Sequence, residues 1–508
     1  MRSAAAILLS LLLSSPSWGD VGGIDVDAAV RRMQSDSLTY SAYQSQHTAP
    51  DARLPEMGAQ GSSVLTVQEE EFFGRFYFRE ARKHLNVIAD PVLDSYIRSL
   101  GSRLVTHANN VRFPFNFFLV QDPEINAAAF LGGNVRVNTG LVLFTDNESQ
   151  LASVLAHEIT HVTQRHLVRF LEAAARRQNI TLGAFVGGVI LALINPAVGM
   201  AAIQTTLGLN MQAQINFTRK DELEADHIGI DLLGRAGFDP SQMAVLFSRI
   251  ASTAPSAGRL PQGLMSHPFP ETRVAEARSR AERMPRPRSN SEQDFLYARA
   301  RIHARFAGLR GDQVVDYHTR ALKGARSPAE KNAALYGITL GYLLQKKPGA
   351  AEEHFRRITP SSSPFLLDTE ADIGIMAGRA KETAARLRPR YQSSPGDQTA
   401  ALNYAVALNA AGDYNGAVTV LRKFTVSRPD SVIAWELLAQ NYRKLGRMYE
   451  HYCALAEAST LAGDYDRSNG FASKASRHAR SKLEKARLDA MVVRNERYRI
   501  SDVRLSKK

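Results

Sequence analysis

His157, Glu158 and His161 stand as His-Glu-Ile-Thr-His in a stretch that carries Leu151, Val154, Leu155, Ile159 and Val162 at helical intervals. Side chains one turn apart share a helix face, so the two imidazoles can grip one divalent ion while Glu158 projects beside them. Such an ion polarises a carbonyl and acidifies water, and a neighbouring carboxylate can take the water's proton and return it to a leaving amine. The chemistry implied is metal-assisted hydrolysis of an amide. A catalytic zinc needs a third protein ligand, and the Gly and third His of the metzincin pattern do not follow His161. Residues 218–233 offer a substitute, because Glu222 and Asp226 lie one turn apart: Glu222 can ligate while Asp226 accepts an N–H from a ligating imidazole. His166 falls about 140° further round a continuous helix than His161 and is left outside the site. Arg273 could hydrogen-bond near the site, whereas His84, His107 and His227 read as packing or surface residues.

These residues need a frame. Thr145 and Glu148 have capping-box spacing and open the long helix that bears the histidines. Before it lies a compact β region: Phe113 to Val120 is rich in aromatic and β-branched residues, Asn126 to Phe130 leads into Gly132-Gly133, and Asn134-Val135-Arg136-Val137-Asn138 alternates strictly. One polar face on that last strand predicts a sheet edge. Asp90 and Pro91 are placed as N-cap and first-turn residues of a helix running through Ile97 and Leu104. From Ile180 to Thr218 there is no Asp, Glu, Lys or Arg, with Asn195-Pro196 as an interruption. Two readings of residues 180–218 stand: buried or lid-like helices over the site, or peripheral contact with a membrane.

The chain has 508 residues, 44% of them apolar and 22% charged, which excludes collagenous, disordered and disulfide-scaffold classes and leaves room for several domains. Residues 1–19 read as a signal peptide, with Arg2, an apolar run from Ala4 to Leu13 and small residues at Ser17 and Gly19, so the mature chain is expected outside the cytoplasm from Asp20. Cys453 is the only cysteine, which excludes an intramolecular disulfide. Residues 20–66 read as a flexible leader, 67–284 as the hydrolytic domain, 285–290 as a Pro-rich linker and 291–490 as an all-helical domain. Within the last, Tyr404, Ala405, Leu408 and Gly412 recur one 34-residue period later as Leu438, Ala439, Tyr442 and Gly446, the tetratricopeptide pattern of a curved solenoid. Net charge is +13, of which +8 falls from Phe471 to Lys508, a stretch that ends in the basic tail at 491–508, and no aromatic-basic signature of nucleic-acid binding accompanies it.

Taken together, Asn126-Ala127-Ala128-Ala129-Phe130, Gly132-Gly133-Asn134, His-Glu-x-x-His and Glu-x-Glu-Ala-Asp resemble the gluzincin metalloproteases that include the CAAX prenyl protease and the bacterial heat-shock membrane protease. The signal peptide and carboxy-terminal repeats make the chain most similar to the family's periplasmic branch. The resemblance implies one Zn2+ per chain held by His157, His161 and Glu222, Glu158 as general base, and pairing of substrate with the strand Asn134 to Asn138. It also implies that His267 covers the zinc as an extra, regulatory ligand. Partners implied are unfolded or stalled outer-membrane proteins, the β-barrel assembly machinery and the lipopolysaccharide translocon. The fold class expected is α+β and mainly helical, a zincin-type domain with a small sheet followed by the solenoid. The competing reading is a non-proteolytic assembly chaperone whose zinc site is structural or capped.

Overall fold

The structure is a computed structural model that describes residues 65–178, 186, 219–253, 271–285 and 292–507. The signal peptide, the leader up to residue 64, His267, nearly all of 180–218 and the linker from residue 286 lie outside the described residues.

Helix α1 (Val67–His84) starts at a capping box in which Thr66 and Glu69 satisfy each other's backbone N–H groups. Helix α2 (Pro91–Val105) starts where Asp90 caps the N–H groups of Val92 and Leu93, with Pro91 in the first turn as its fixed φ favours. Three strands follow, β1 (Asn116–Val120), β2 (Ala127–Phe130) and β3 (Asn134–Asn138). Their order is β1-β3-β2, with β3 parallel to β1 and antiparallel to β2.

This order overturns the edge expected for Asn134 to Asn138. β3 is the middle strand, its backbone paired on both sides, and the edge strands are β2 and β1, the latter met near its end by the Asn86–Ile88 segment. The alternation misleads because its polar members are buried: Asn134 donates to the carbonyls of Gly74 and Leu131 and accepts from Asn116, and Asn138 is wholly enclosed. On the other face Val135 and Val137 join the core beneath the sheet.

Short helix α3 (Thr139–Phe144) precedes α4 (Glu148–Thr163), the helix of the two histidines. Thr145 is not its cap. Asn147 accepts from the Gln150 N–H as the N-cap, while Thr145 closes α3 and turns its hydroxyl to the Val142 carbonyl. Helices α5 (His166–Gln178), α6 (Arg219–Arg235), α7 (Ser241–Thr253) and α8 (Glu271–Glu282) complete this part, with α6 and α7 packed on α4 and α8 bridging them.

The remainder is helical throughout. Helices α9 (Gln293–Phe306), α10 (Gly311–Gly324), α11 (Pro328–Leu344) and α12 (Pro348–Phe355) lead into α13 (Pro364–Met376), α14 (Ala380–Ser393), α15 (Gln398–Ala410) and α16 (Tyr414–Ser427). Then come α17 (Val432–Lys444), α18 (Met448–Leu461), α19 (Tyr465–Ser476) and α20 (Lys482–Lys507). From α13 to α18 the helices form three pairs whose first helices begin at 364, 398 and 432, a strict 34-residue period. Each pair turns on a glycine with positive φ, at Gly378, Gly412 and Gly446, a backbone state other residues adopt at a cost.

This array is fused to the preceding part of the chain. One continuous core runs from Leu93, Ile97 and Leu155 through Phe295 and Tyr336 to Phe365. At its centre Arg301, 1% exposed, pairs with Asp90 at 2.8 Å and Asp368 at 2.7 Å, and Arg305 joins Asp90 to Asp372. Burial pushes the Asp90 carboxyl up, but Arg301 and Arg305 outweigh it and hold it below the usual carboxylate range. The Asp90 limb of the clasp is therefore charged at neutral pH and loosens only as pH falls below the unfolded value of about 3.9, whereas burial, with Asp368 nearby, pushes the Asp372 carboxyl up to about 6, so the Arg305–Asp372 limb loosens first on acidification. Arg301→Ala strands Asp90 and Asp368, with Arg305 still facing the former. It is expected to cost about 3 kcal/mol, the low end for a broken buried pair, read as a lower urea midpoint for both parts together. Two midpoints, with only the helical array shifted, would refute the common core.

Candidate metal centre and active site

The geometry centres on α4. His157 and His161 are buried on one face with their Nε2 atoms 3.0 Å apart. From α6, the Glu222 carboxylate reaches 3.5 Å from each of them. These three donors lie within 4.8 Å of one another, all buried. In a tetrahedral site with bonds of about 2.0–2.1 Å, ligand atoms are about 3.3 Å apart; two imidazoles and a carboxylate at these separations fit a divalent metal ion.

The surrounding bonds set up the donors. His157 Nδ1 meets Asp226 Oδ1 at 2.9 Å, so Nδ1 carries the proton and Nε2 is the atom that would ligate a metal ion. Burial raises the Asp226 carboxyl, and hydrogen bonds from His157 and Arg273 more than reverse this, keeping it ionised. Arg273, from α8, is 1% exposed and grips Asp226 through Nε at 2.6 Å and a terminal nitrogen at 2.8 Å. Its other terminal nitrogen lies 2.8 Å from Glu222. Arg273 therefore fixes the third donor and the orienting carboxylate together, a fork that suits arginine and not lysine.

His166, which angular arithmetic excludes, is a neighbour of the site. Arg165 adopts a positive φ of 55° and breaks the helix, so α5 starts in a new direction. His166 Nδ1 then comes within 2.9 Å of His161 Nδ1, and its Nε2 within 3.2 Å of Glu224. With His161 Nε2 facing His157 Nε2 in the donor cluster, where it would hold a metal ion, its Nδ1–H donates to His166, whose own N–H donates to Glu224. Burial, and then Arg169, hold His166 below the usual imidazole range, which keeps it neutral for this role.

Close helix packing makes the arrangement reachable. Gly229 sits where α6 crosses α4; a Cβ there would stand 3.2 Å from the His157 nitrogen. Gly229→Leu is expected to push α6 away and weaken metal binding at least tenfold, consistent with overpacking costs of about 1–3 kcal/mol. Chelator competition measures it.

Glu158 is 3% exposed and lies against β2, where its Oε2 accepts the Ala129 N–H at 2.7 Å. The carboxylate thus stands between the donor cluster and the outward side of the sheet's edge strand. The profile described as "Peptidase family M48" matches residues 91–281, which include both motif helices. At full length, a putative β-barrel assembly-enhancing protease of Vibrio cholerae serotype O1 is 37% identical over 453 residues, 88% of this chain and 93% of the relative. The chain belongs to peptidase family M48.

The β-barrel assembly-enhancing protease of Escherichia coli (strain K12) is 38% identical over 444 residues, 86% of this chain and 90% of the relative. The metalloprotease LoiP of the same strain matches 37% of this chain and 72% of its own length, at 27% identity. This M48 peptidase is accordingly a metalloendopeptidase, and the chaperone reading without proteolysis gives way to that. Among the described residues no helix is long and apolar enough to cross a membrane.

Proposed function

We propose that this M48 peptidase is a periplasmic zinc endopeptidase for outer-membrane β-barrel proteins that are misassembled or stalled. The observation that carries it is the buried His157, His161 and Glu222 cluster with Glu158 beside the edge strand. Zinc bound by those three residues would polarise the scissile carbonyl and acidify water. Glu158, oriented by the Ala129 N–H, takes the proton of the attacking water and delivers it to the leaving amine. Asp226 and Arg273 hold His157 and Glu222 in place throughout.

An extended substrate would add to the outer side of β2, which replaces β3 as the pairing strand. Ala129 turns its N–H away from β3, and that side faces Glu158. Such pairing reads backbone and tolerates varied side chains, which suits unfolded strands. The names of the Vibrio and Escherichia relatives support β-barrel assembly as the setting. The 34-residue helix pairs support tetratricopeptide repeats that dock the enzyme to the β-barrel assembly machinery and the lipopolysaccharide translocon. His267 remains the proposed extra ligand that keeps the enzyme latent.

The deciding experiment compares cleavage of an unfolded β-barrel client by zinc-loaded chains carrying His267→Ala, with and without Glu158→Gln. Cleavage by the first alone is expected; cleavage by neither, with zinc bound, overturns the assignment. Equal cleavage of folded soluble proteins would remove the proposed client class.

A further inference from the structure

A groove of about 970 Å³ lies far along the chain from the metal centre, between α16, α17, α18 and the basic helix α20. Five arginines and three glutamates line it, with no aspartate and no lysine. All three glutamates are already engaged. Arg447 Nε donates to Glu450 at 2.9 Å, Arg494 pairs with Glu457 at 2.8 Å, and Glu484 accepts the backbone N–H groups of Arg480 and Ser481. Arg422, Arg487 and Arg497 are exposed and meet no carboxylate among the described residues. The lining also carries apolar side chains: Val426, 84% exposed, an uncommon degree for a valine, with Trp435 and Met491 in the same groove.

Arg487 and Arg497 are ten residues apart on one helix, so their backbones are about 15 Å apart at 1.5 Å per residue. An extended chain covers that span in four or five residues at about 3.3 Å each. A single small anion cannot satisfy both ends; a peptide carrying two carboxylates around an apolar centre can. We infer that this groove binds an extended acidic-apolar-acidic segment of a polypeptide, with Arg422, Arg487 and Arg497 taking the carboxylates and Val426 and Trp435 the apolar residues between. The basic helix α20 thereby acts as one wall of a peptide-binding site, separate from the active site and independent of cleavage.

The test is fluorescence anisotropy with the mature chain and a labelled, amidated peptide Gly-Glu-Val-Phe-Val-Glu-Gly, against the same peptide with both Glu replaced by Lys. Binding of the first is expected to weaken at least tenfold in the Arg487→Glu/Arg497→Glu variant and with rising salt. The lysine peptide should not bind. Both substituted side chains are exposed, and an unchanged thermal melt confirms the fold of the variant. Equal binding of the two peptides, or unchanged affinity in the variant, overturns the inference. So does loss of binding to phosphatidylglycerol vesicles in the variant without any peptide binding by the parent chain, which would make α20 a lipid-binding helix.

Discussion

Glu158→Gln in the chain carrying His267→Ala is expected to lower kcat by about 10³-fold, within the 10²–10⁴ range of a positioned general base. The amide keeps an oxygen to accept the Ala129 N–H, so the strand beside it stays in place while the proton acceptor is lost. Zinc content and KM should hardly change, because His157, His161 and Glu222 are untouched. Single-turnover cleavage with metal analysis measures both quantities. A fall of less than tenfold would mean that another group takes the proton.

Arg273→Ala is the second large effect. The side chain is buried and neutralises two buried carboxylates, Glu222 and Asp226, so its removal leaves both without their cation. Breaking a buried pair costs about 3–5 kcal/mol, and with two partners stranded the upper end applies to the metal-free chain. A bound divalent ion restores part of the missing positive charge. Zinc should therefore raise the urea midpoint of the variant by more than it raises that of the parent. Arg273→Lys keeps the charge and loses the fork, and should fall between the two. Equal zinc-dependent shifts in parent and Ala variant would show that Arg273 does not act on the site's charge balance.

The parts of the site legible in the sequence are those set by one helix turn. His157 with His161, and Glu222 with Asp226, depend only on spacing within a helix, and the structure brings all four together. His166 is hidden in the sequence because helical spacing puts it off the ligand face, and the positive φ at Arg165 breaks the helix that this spacing assumes. Arg273 is placed near the site by its sequence position, but its partners Glu222 and Asp226 are not, because no local rule says which carboxylates an arginine on another helix will reach. The edge strand was misassigned for a related reason. Alternation reports a polar face, and the sequence does not say that buried side chains such as Gly74's neighbour Asn134 satisfy that face internally. The repeating helix pairs were legible because their period is regular, whereas their fusion with the hydrolytic core depends on Asp90 meeting Arg301, 211 residues away.

The helical array also returns to the beginning of the described chain. Arg82 of α1 donates to the Leu461 carbonyl across a separation of 379 residues, and Lys83 and Arg79 lie over the rings of Tyr465 and Tyr498. Contacts of such separation carry a large loop-closure entropy and form late in folding. During synthesis, α1 emerges early and its last partners emerge near the end, so its outer side waits for nearly the whole chain. A peptidase assembled in this order completes its framework only after its final helices have been made, and a chain interrupted before them leaves its first helix uncovered.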